Sequence, residues 1–231
     1  MFSTKEKVVR GLTEIEPILD AIYPYGGYIA GGYVRWMCST NQRPSSPGDV
    51  DIYCRFEDSF SKIKTKLEDK GFSAVFTSDV SINYRTTETT DKTYVACPKL
   101  QLIKPRSDEN LCTVGDPEEV CSSFDFTVSR IFLNSNGRYG YCDEDFSEHE
   151  KKKRIVIKNI HCPISSIIRV IKYAKKGYFV SFGELGKLYR DWDSRSSDYK
   201  ENLLTLLEDF ESDEKMTDET YKELINLLKI D

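Results

Sequence analysis

Long apolar segments are missing from this sequence of 231 residues. No stretch is hydrophobic over the ~18–20 residues that would span a bilayer. The chain turns polar directly after Met1 and Phe2, without the apolar centre of a secretory signal. With 39% hydrophobic and 31% charged residues, the composition is that of a globular protein. We therefore expect a soluble protein of the cytoplasm, built from one or two domains.

The pattern of a disulfide framework is also missing. The seven cysteines are odd in number, and no two of them have the C-x-x-C spacing. This usage is typical of reduced thiols in a cytosol. A zinc site built from Cys112, Cys121, Cys142 and a histidine is conceivable, but these spacings match no zinc finger or ribbon. We therefore favour free thiols.

Charge is distributed very unevenly, although the net charge is only -5. Residues 151–178 hold many Lys and Arg residues and no acidic residue, whereas residues 191–231 are strongly acidic. An acidic protein with one concentrated basic segment is expected to bind anions at one local surface.

Hydrophobic periodicity divides the chain near residue 155. Before this point helical and strand patterns alternate, and after it only helical patterns occur. We predict an α+β domain with a mixed β-sheet at residues 1–155 and a small all-helical domain at residues 156–231. The predicted helices are 5–22, 33–40, 59–70, 117–122, 163–176, 182–190, 198–210 and 217–229. The predicted strands are 28–30, 50–53, 73–77, 80–85, 94–96, 100–103 and 124–133, and residues 41–48 are predicted to form an exposed loop.

Gly31 and Gly32 follow a short apolar strand and precede a short helix. Glycines at such a position let the backbone approach a ligand closely, and the N–H groups that begin a helix suit phosphate. The alternative is a tight turn without a ligand.

Asp49 and Asp51 flank Val50 at the start of a predicted strand. Residues i and i+2 of a strand point to the same face, so the two carboxylates are expected to stand side by side. Two neighbouring carboxylates repel each other unless a cation lies between them, and such oxygen ligands suit Mg²⁺ or Mn²⁺. The alternative is an acidic strand that faces water.

Asp125 lies in an apolar segment, Phe124 to Val128, that we predict to be a strand. A carboxylate is costly to bury without a partner. If this strand neighbours the Asp49–Asp51 strand, Asp125 completes a cluster of three carboxylates. The alternative is an edge strand with Asp125 in water.

The order of these motifs resembles the DNA polymerase beta-type nucleotidyltransferase superfamily. Its signature is Gly-Gly, a short helix, an Asp-x-Asp strand and a third aspartate on a later strand. The likeness is nearest to the CCA-adding enzyme and bacterial poly(A) polymerase branch, and it covers residues ~28–180. It rests on Gly31 to Arg35, on Asp125 to Val128, and on residues 162–178, which resemble the first neck helix of that branch.

The resemblance implies a reaction in which a hydroxyl attacks the α-phosphate of a nucleoside triphosphate and releases pyrophosphate, with two Mg²⁺ or Mn²⁺ ions. It implies that Asp49, Asp51 and Asp125 hold the metals and catalyse the reaction. Gly31 and Gly32 would bind the β- and γ-phosphates, with Arg35 nearby.

Arg169 and Lys172 lie three residues apart on one face of a predicted helix, with Tyr173 one position further on. We predict that these three residues reach the triphosphate or the base. The alternative is a solvated basic face.

The acceptor is open on the sequence alone. Our leading hypothesis is template-independent transfer to RNA 3′ ends, such as those of tRNA, with residues 151–178 following the phosphate backbone. The likeness to poly(A) polymerases makes ATP one candidate substrate. The first alternative is nucleotide transfer to a protein or a small molecule, as in toxin-type nucleotidyltransferases. The second is a binding module without activity.

One departure from the branch bears on base selection. The neck motif that selects C and A in CCA-adding enzymes begins with an acidic pair, whereas residues 161–165 contain no carboxylate. We therefore do not expect the base selection of a CCA-adding enzyme.

Overall fold

The computed structural model describes residues 7–8, 15–38, 49–86, 99–107 and 112–211. Its strands are β1 (Lys7–Val8), β2 (Gly27–Ala30), β3 (Val50–Cys54), β4 (Phe72–Thr77), β5 (Ser81–Thr86), β6 (Leu100–Ile103), β7 (Ile131–Leu133), β8 (Arg138–Tyr141), β9 (Arg154–Ile155) and β10 (Phe179–Val180). Its α-helices are α1 (Glu16–Ile22), α2 (Gly32–Cys38), α3 (Ser59–Asp69), α4 (Pro117–Ser122), α5 (Phe146–Lys151), α6 (Pro163–Ala174), α7 (Phe182–Ser194) and α8 (Ser197–Glu211). In these ranges, no helix combines the length and the apolar character needed to cross a bilayer.

Eight strands form one mixed sheet in the order β1-β8-β7-β2-β3-β6-β5-β4. Strands β3 and β6 are parallel, with Asp51 opposite Gln101. The other neighbours are antiparallel. This arrangement confirms the predicted α+β class with a mixed sheet, and it places Asp51 on an interior strand between β2 and β6.

The two faces of β3 have different environments, because successive side chains of a strand point to opposite faces. Val50 and Ile52 belong to the larger core, which the sheet forms with α1 and α3. Tyr53 belongs to a smaller cluster on the other face, where Val120 of α4 packs. Asp51 shares its face with Tyr53 and is only partly buried.

A third cluster joins the helical part of the chain to the segment before β7. Phe126 and Val128 pack against Val170 and Tyr173 of α6 and Leu188 of α7. Helix α6 begins at Pro163, whose fixed backbone angle suits a first helical turn. Helix α7 begins after Ser181, whose Oγ accepts a hydrogen bond from the N–H of Glu184. The structure thus places helix α6 beside the segment that contains Asp125.

Two predicted elements are wrong in part. The strand predicted at 124–133 is a bend at Asp125, a 3₁₀ turn at Thr127–Ser129 and only then β7. The backbone around Asp125 pairs with residues 156–159 instead of the large sheet, because Thr127 N–H bonds to Val156 and Asp125 C=O accepts from Lys158.

The helix predicted at 5–22 begins only at Glu16, and Lys7–Val8 form the edge strand β1. Lys7 pairs with Tyr139 of β8, so tertiary pairing overrides the local helical pattern. The loop predicted at 41–48, the strand at 94–96 and the helix at 217–229 lie outside the described residues.

Gly140 of β8 allows close packing against β7. A Cβ atom at this position would overlap the ring of Phe132, which is completely buried. We expect Gly140→Ala to lower the free energy of unfolding by about 1–3 kcal/mol, measured by urea denaturation. Gly183 of α7 is the matched control, since an added Cβ there would lie 3.8 Å from the Ser181 Oγ atom, an ordinary contact distance. An equal loss of stability in both variants would contradict the packing explanation.

Candidate active site

A cavity of about 260 Å³ lies on the face of the sheet that carries Asp51, with helix α6 as one wall. Eight of the nine residues predicted from the sequence for the site line this cavity. They are Gly31, Gly32, Asp49, Asp51, Asp125, Arg169, Lys172 and Tyr173. The exception is Arg35. Residues that are distant in sequence, and that were predicted separately from short motifs, therefore border one space.

The glycine turn lies directly beside the Asp-x-Asp strand. Gly31 has a φ of +80°, which side chains rarely adopt, and a Cβ there would lie 3.8 Å from the Asp51 Oδ2 atom. The Gly31 N–H donates to the Ile131 carbonyl oxygen at 2.7 Å, which fixes the turn against β7. An added Cβ at Gly32 would meet no atom within 4 Å, so the backbone borders open space here. Glycine at both positions keeps the approach to Asp51 clear.

Gln101 is a site residue that the sequence motifs did not reveal. It pairs with Asp51 across the parallel strands β3 and β6, is 5% exposed, and lines the cavity. Its Nε2 donates to the Asn83 Oδ1 atom of β5 at 2.8 Å, which orients the amide. The available signal was its place at the second position of an apolar strand, where a polar side chain needs a partner.

Asp125 lines the cavity but does not complete a three-carboxylate cluster. Its Oδ2 atom accepts hydrogen bonds from Ser166 at 2.6 Å and from Arg169 at 2.9 Å, and its side chain is 5% exposed. Within the described ranges, no three Asp, Glu, His or Cys side chains stand close enough together to hold a metal. The expected convergence of Asp49, Asp51 and Asp125 is therefore wrong, because an ion pair with α6 holds Asp125.

Arg35, which was predicted to lie near the nucleotide phosphates, does not line the cavity. Its side chain is 1% exposed, and its Nη1 donates a hydrogen bond to the Tyr178 hydroxyl and lies 3.8 Å from Glu150. The guanidinium carbon is 5.2 Å from the ring centre of Tyr173 and 5.1 Å from that of Tyr178. Arg35 therefore packs helix α2 against the end of helix α6.

Helix α6 and the turn after it line one wall of the cavity with cations. Arg169 and Lys172 were predicted, and the structure adds Lys176, which lies two residues beyond the end of the helix and four residues after Lys172. The Lys176 ammonium is 5.8 Å from the ring centre of Tyr173. The four-residue step from Lys172 was the available sequence signal for Lys176.

A pH effect on stability follows from the position of Lys176. Burial, together with the charges of Arg35 and Lys172, lowers the pKa of Lys176 to about 8, against a smaller opposing effect of Asp49. The ordinary value is 10.5, so the folded state binds fewer protons than the unfolded state between pH 8 and 10.5. The charge of Lys176 therefore lowers the free energy of unfolding below pH 8, and this effect disappears by pH 10.5.

We expect Lys176→Met to be more stable than the wild type at pH 7.5, and this advantage to shrink as the pH approaches 10. Urea denaturation of both proteins at several pH values measures the difference. A difference that stays constant over this range would contradict the expected charge effect.

Asp49 and Asp51 are the residues that fit a divalent metal ion. Both carboxylates border the cavity, and oxygen donors of this kind suit Mg²⁺ or Mn²⁺. Mg²⁺ at nucleotide sites is commonly bound by one or two carboxylates together with substrate phosphates and water. The pair is therefore suited to an ion that also contacts a nucleotide.

Comparison with known sequences gives one family. The family model described as Gad2, Gabija anti-defense 2 family protein, matches residues 5–153. No curated protein matches the sequence. The matched segment contains the glycine turn, Asp49, Asp51 and Asp125, and it ends before helix α6.

Comparison with solved structures identifies the fold. The CCA-adding enzyme of Bacillus stearothermophilus in complex with CTP has a TM-score of 0.51 and 14% identity, covering 77% of this chain and 42% of that enzyme. A tRNA-processing enzyme in an apo form has a TM-score of 0.52 and 16% identity, covering 97% and 58%. An apo CCA-adding enzyme has a TM-score of 0.52 and 10% identity, covering 96% and 55%. The chain spans about half the length of these structures and has their fold.

Proposed function

The chain belongs to the Gabija anti-defense 2 family and has the fold of CCA-adding nucleotidyltransferases, and we propose that it transfers a nucleoside monophosphate from a nucleoside triphosphate to a hydroxyl acceptor. One observation carries this proposal. The Gly31–Gly32 turn, the Asp49–Asp51 pair and the cations of helix α6 line a single cavity. A site for a triphosphate substrate requires carboxylates that can hold a divalent metal ion and cationic side chains that can neutralise the phosphates.

Each set of residues has a distinct part in the proposed reaction. Asp49 and Asp51 would hold the divalent metal, which would supply charge neutralisation at the reacting phosphate. Lys172 neutralises the triphosphate from the α6 side, and Gly31 leaves room for the reacting group beside Asp51. Asp125 positions Arg169 through their ion pair, a role that differs from the metal ligation expected from the sequence.

The proposed site depends on both of the proposed domains. Residues 1–155 would supply the carboxylates and the glycine turn, and residues 156–231 would supply the cations of helix α6. The division near residue 155 stays a proposal. A nucleotide bound in this cavity would contact both parts of the chain.

An RNA 3′ end is the first candidate acceptor. It is supported by the cluster of Lys and Arg residues at 151–178 and by the fold shared with a tRNA-processing enzyme. For this acceptor, a poly(A) polymerase-like activity with ATP as the nucleotide substrate is one form of the proposed reaction.

A protein or small-molecule acceptor is the second candidate, and two observations favour it. Several lysines of the basic segment form ion pairs within the chain, which reduces the charge available to a nucleic acid. These pairs are Lys152 with Glu148, Lys153 with Glu150 and Lys158 with Asp143. The family description names an anti-defense role, which favours an acceptor that belongs to the Gabija defence system.

The experiment that tests the function uses each of the four α-labelled nucleoside triphosphates with Mg²⁺ or Mn²⁺. One set of reactions contains RNA with a free 3′ end, and the other contains lysate of cells that carry Gabija. Label that lengthens RNA identifies the first acceptor, and label that moves with protein or a small molecule identifies the second. Absence of transfer to either acceptor with all four nucleotides would contradict the proposed activity.

A further inference from the structure

Lys176 has a fixed place at the end of helix α6. Its N–H donates to the Tyr173 carbonyl oxygen at 2.9 Å, and the next residue, Gly177, has a φ of +83° and donates to Ala174. The Tyr173 ring packs edge-on against the rings of Phe126 and Tyr178, at 5.7 Å and 5.1 Å between centres. The backbone that carries Lys176 is therefore held on both sides.

The neighbouring charges leave Lys176 in need of an anion. Arg169 Nη1 lies 2.9 Å from Asp125 Oδ2, so its charge is largely balanced inside the protein. No carboxylate forms an ion pair with Lys176 in the part of the chain that the structure describes. Its half-buried ammonium instead experiences the positive charges of Arg35 and Lys172, which together with desolvation lower its pKa. A polyanion bound in the cavity would offset the repulsion from Arg35, the repulsion from Lys172 and the loss of hydration of the Lys176 ammonium.

The attraction of a cation to the C-terminal end of a helix does not by itself explain why Lys176 is half-buried at the cavity. Cations are favoured in the last turn of a helix, where the carbonyl oxygens are unpaired. Lys175 lies in the same turn, is exposed, and does not line the cavity. Lys175 would satisfy the helix end at a lower cost in desolvation, so the burial of Lys176 toward the cavity requires another explanation.

We propose that Lys176 is a phosphate-binding residue of the cavity and that it contacts the polyphosphate of the nucleotide together with Lys172. This inference rests on the proposed function and deepens it, because it assigns a substrate contact to a residue outside the motifs that identified the site. The Asp49–Asp51 pair borders the same cavity, so a bound polyphosphate would lie between the metal-holding carboxylates and this lysine.

Binding of inorganic triphosphate, measured by isothermal titration calorimetry in EDTA, tests the contact without requiring catalysis. We expect Lys176→Met to weaken this binding about 10-fold, which corresponds to the loss of one charge-assisted contact. Lys175→Met is the matched control in the same helical turn and is expected to stay within about 2-fold of the wild type. Lys176→Arg is expected to retain most of the affinity, since it keeps the charge. Lys176→Gln replaces the Met variant if the latter does not fold by circular dichroism.

Two results would overturn the proposal. One is triphosphate binding by Lys176→Met as tight as that of the wild type. If this variant also binds Mn²⁺ more tightly in a separate titration without EDTA, Lys176 acts on Asp49 and not on phosphate. The other is an equal loss in Lys175→Met, which would indicate a diffuse charge effect. If Lys176→Met loses triphosphate binding but the wild type transfers no nucleotide to any acceptor, the proposed function fails and the phosphate contact stands.

Discussion

Asp51→Asn is expected to reduce nucleotide transfer by about 10³-fold, or about 4 kcal/mol in the activation free energy. The carboxylate lies on an interior strand, beside the Gly31 turn and at the edge of the cavity. Asparagine has nearly the same shape but carries no charge, so it would bind the divalent ion much more weakly. The measurement is the rate of label transfer from the nucleotide that supports activity in the wild type.

Asp58→Asn provides the matched control for the removal of a carboxylate. Asp58 directly precedes α3, and its exposed side chain pairs with Lys62 of that helix, 2.7 Å away. We expect transfer by this variant to stay within about 2-fold of the wild type. Transfer by Asp51→Asn within 10-fold of the wild type, with metal present, would contradict the assignment of Asp51 as a metal-holding residue.

Arg35→Met is expected to lower the free energy of unfolding by about 3 kcal/mol. The guanidinium is buried between the rings of Tyr173 and Tyr178 and lies 3.8 Å from Glu150. Its removal takes away two cation–π contacts and a hydrogen bond to the Tyr178 hydroxyl, all of them in a desolvated environment. Glu150 keeps its ion pair with Lys153, which limits the loss. Urea denaturation measures this loss of stability, and we expect the m-value to be the same as that of the wild type.

Arg55→Met is the corresponding surface control. Arg55 pairs with Asp116 at 3.1 Å, but the two side chains are 43% and 69% exposed. Exposed ion pairs contribute at most about 1 kcal/mol, so we expect only a small change in stability. Comparable losses in the two arginine variants would show that burial between the tyrosines is not what makes Arg35 important for stability.

The position of Asp49 and Asp51 beside one cavity could be predicted from sequence because their geometry is local. Asp49 and Asp51 lie two residues apart at a strand, and alternation alone places them on one face. The Gly31–Gly32 turn and the Arg169–Lys172 spacing are local in the same sense. These residues border one cavity.

The errors arise where distant contacts decide the outcome. The apolar, β-branched segment around Asp125 has strand propensity, but its backbone pairs with residues 156–159 and its carboxylate pairs with Arg169. Arg35 follows a glycine motif, which predicts a ligand contact, whereas its burial depends on two tyrosines more than 130 residues later. Gln101 was missed because an amide in an apolar strand shows no metal-binding pattern, and its position beside Asp51 becomes visible only from the strand register.

The hydrogen bond between Arg35 and Tyr178 joins residues 143 positions apart, and β1 pairs with β8 across a similar interval. Closing such long loops loses chain entropy before the contacts can compensate for it, so a fold of this kind forms slowly. During synthesis the carboxylate pair leaves the ribosome long before helix α6 exists. The nascent chain would therefore carry Asp49 and Asp51 in an incomplete site, and the ability to bind a triphosphate would arise late, when the segment through Tyr178 folds back onto α2.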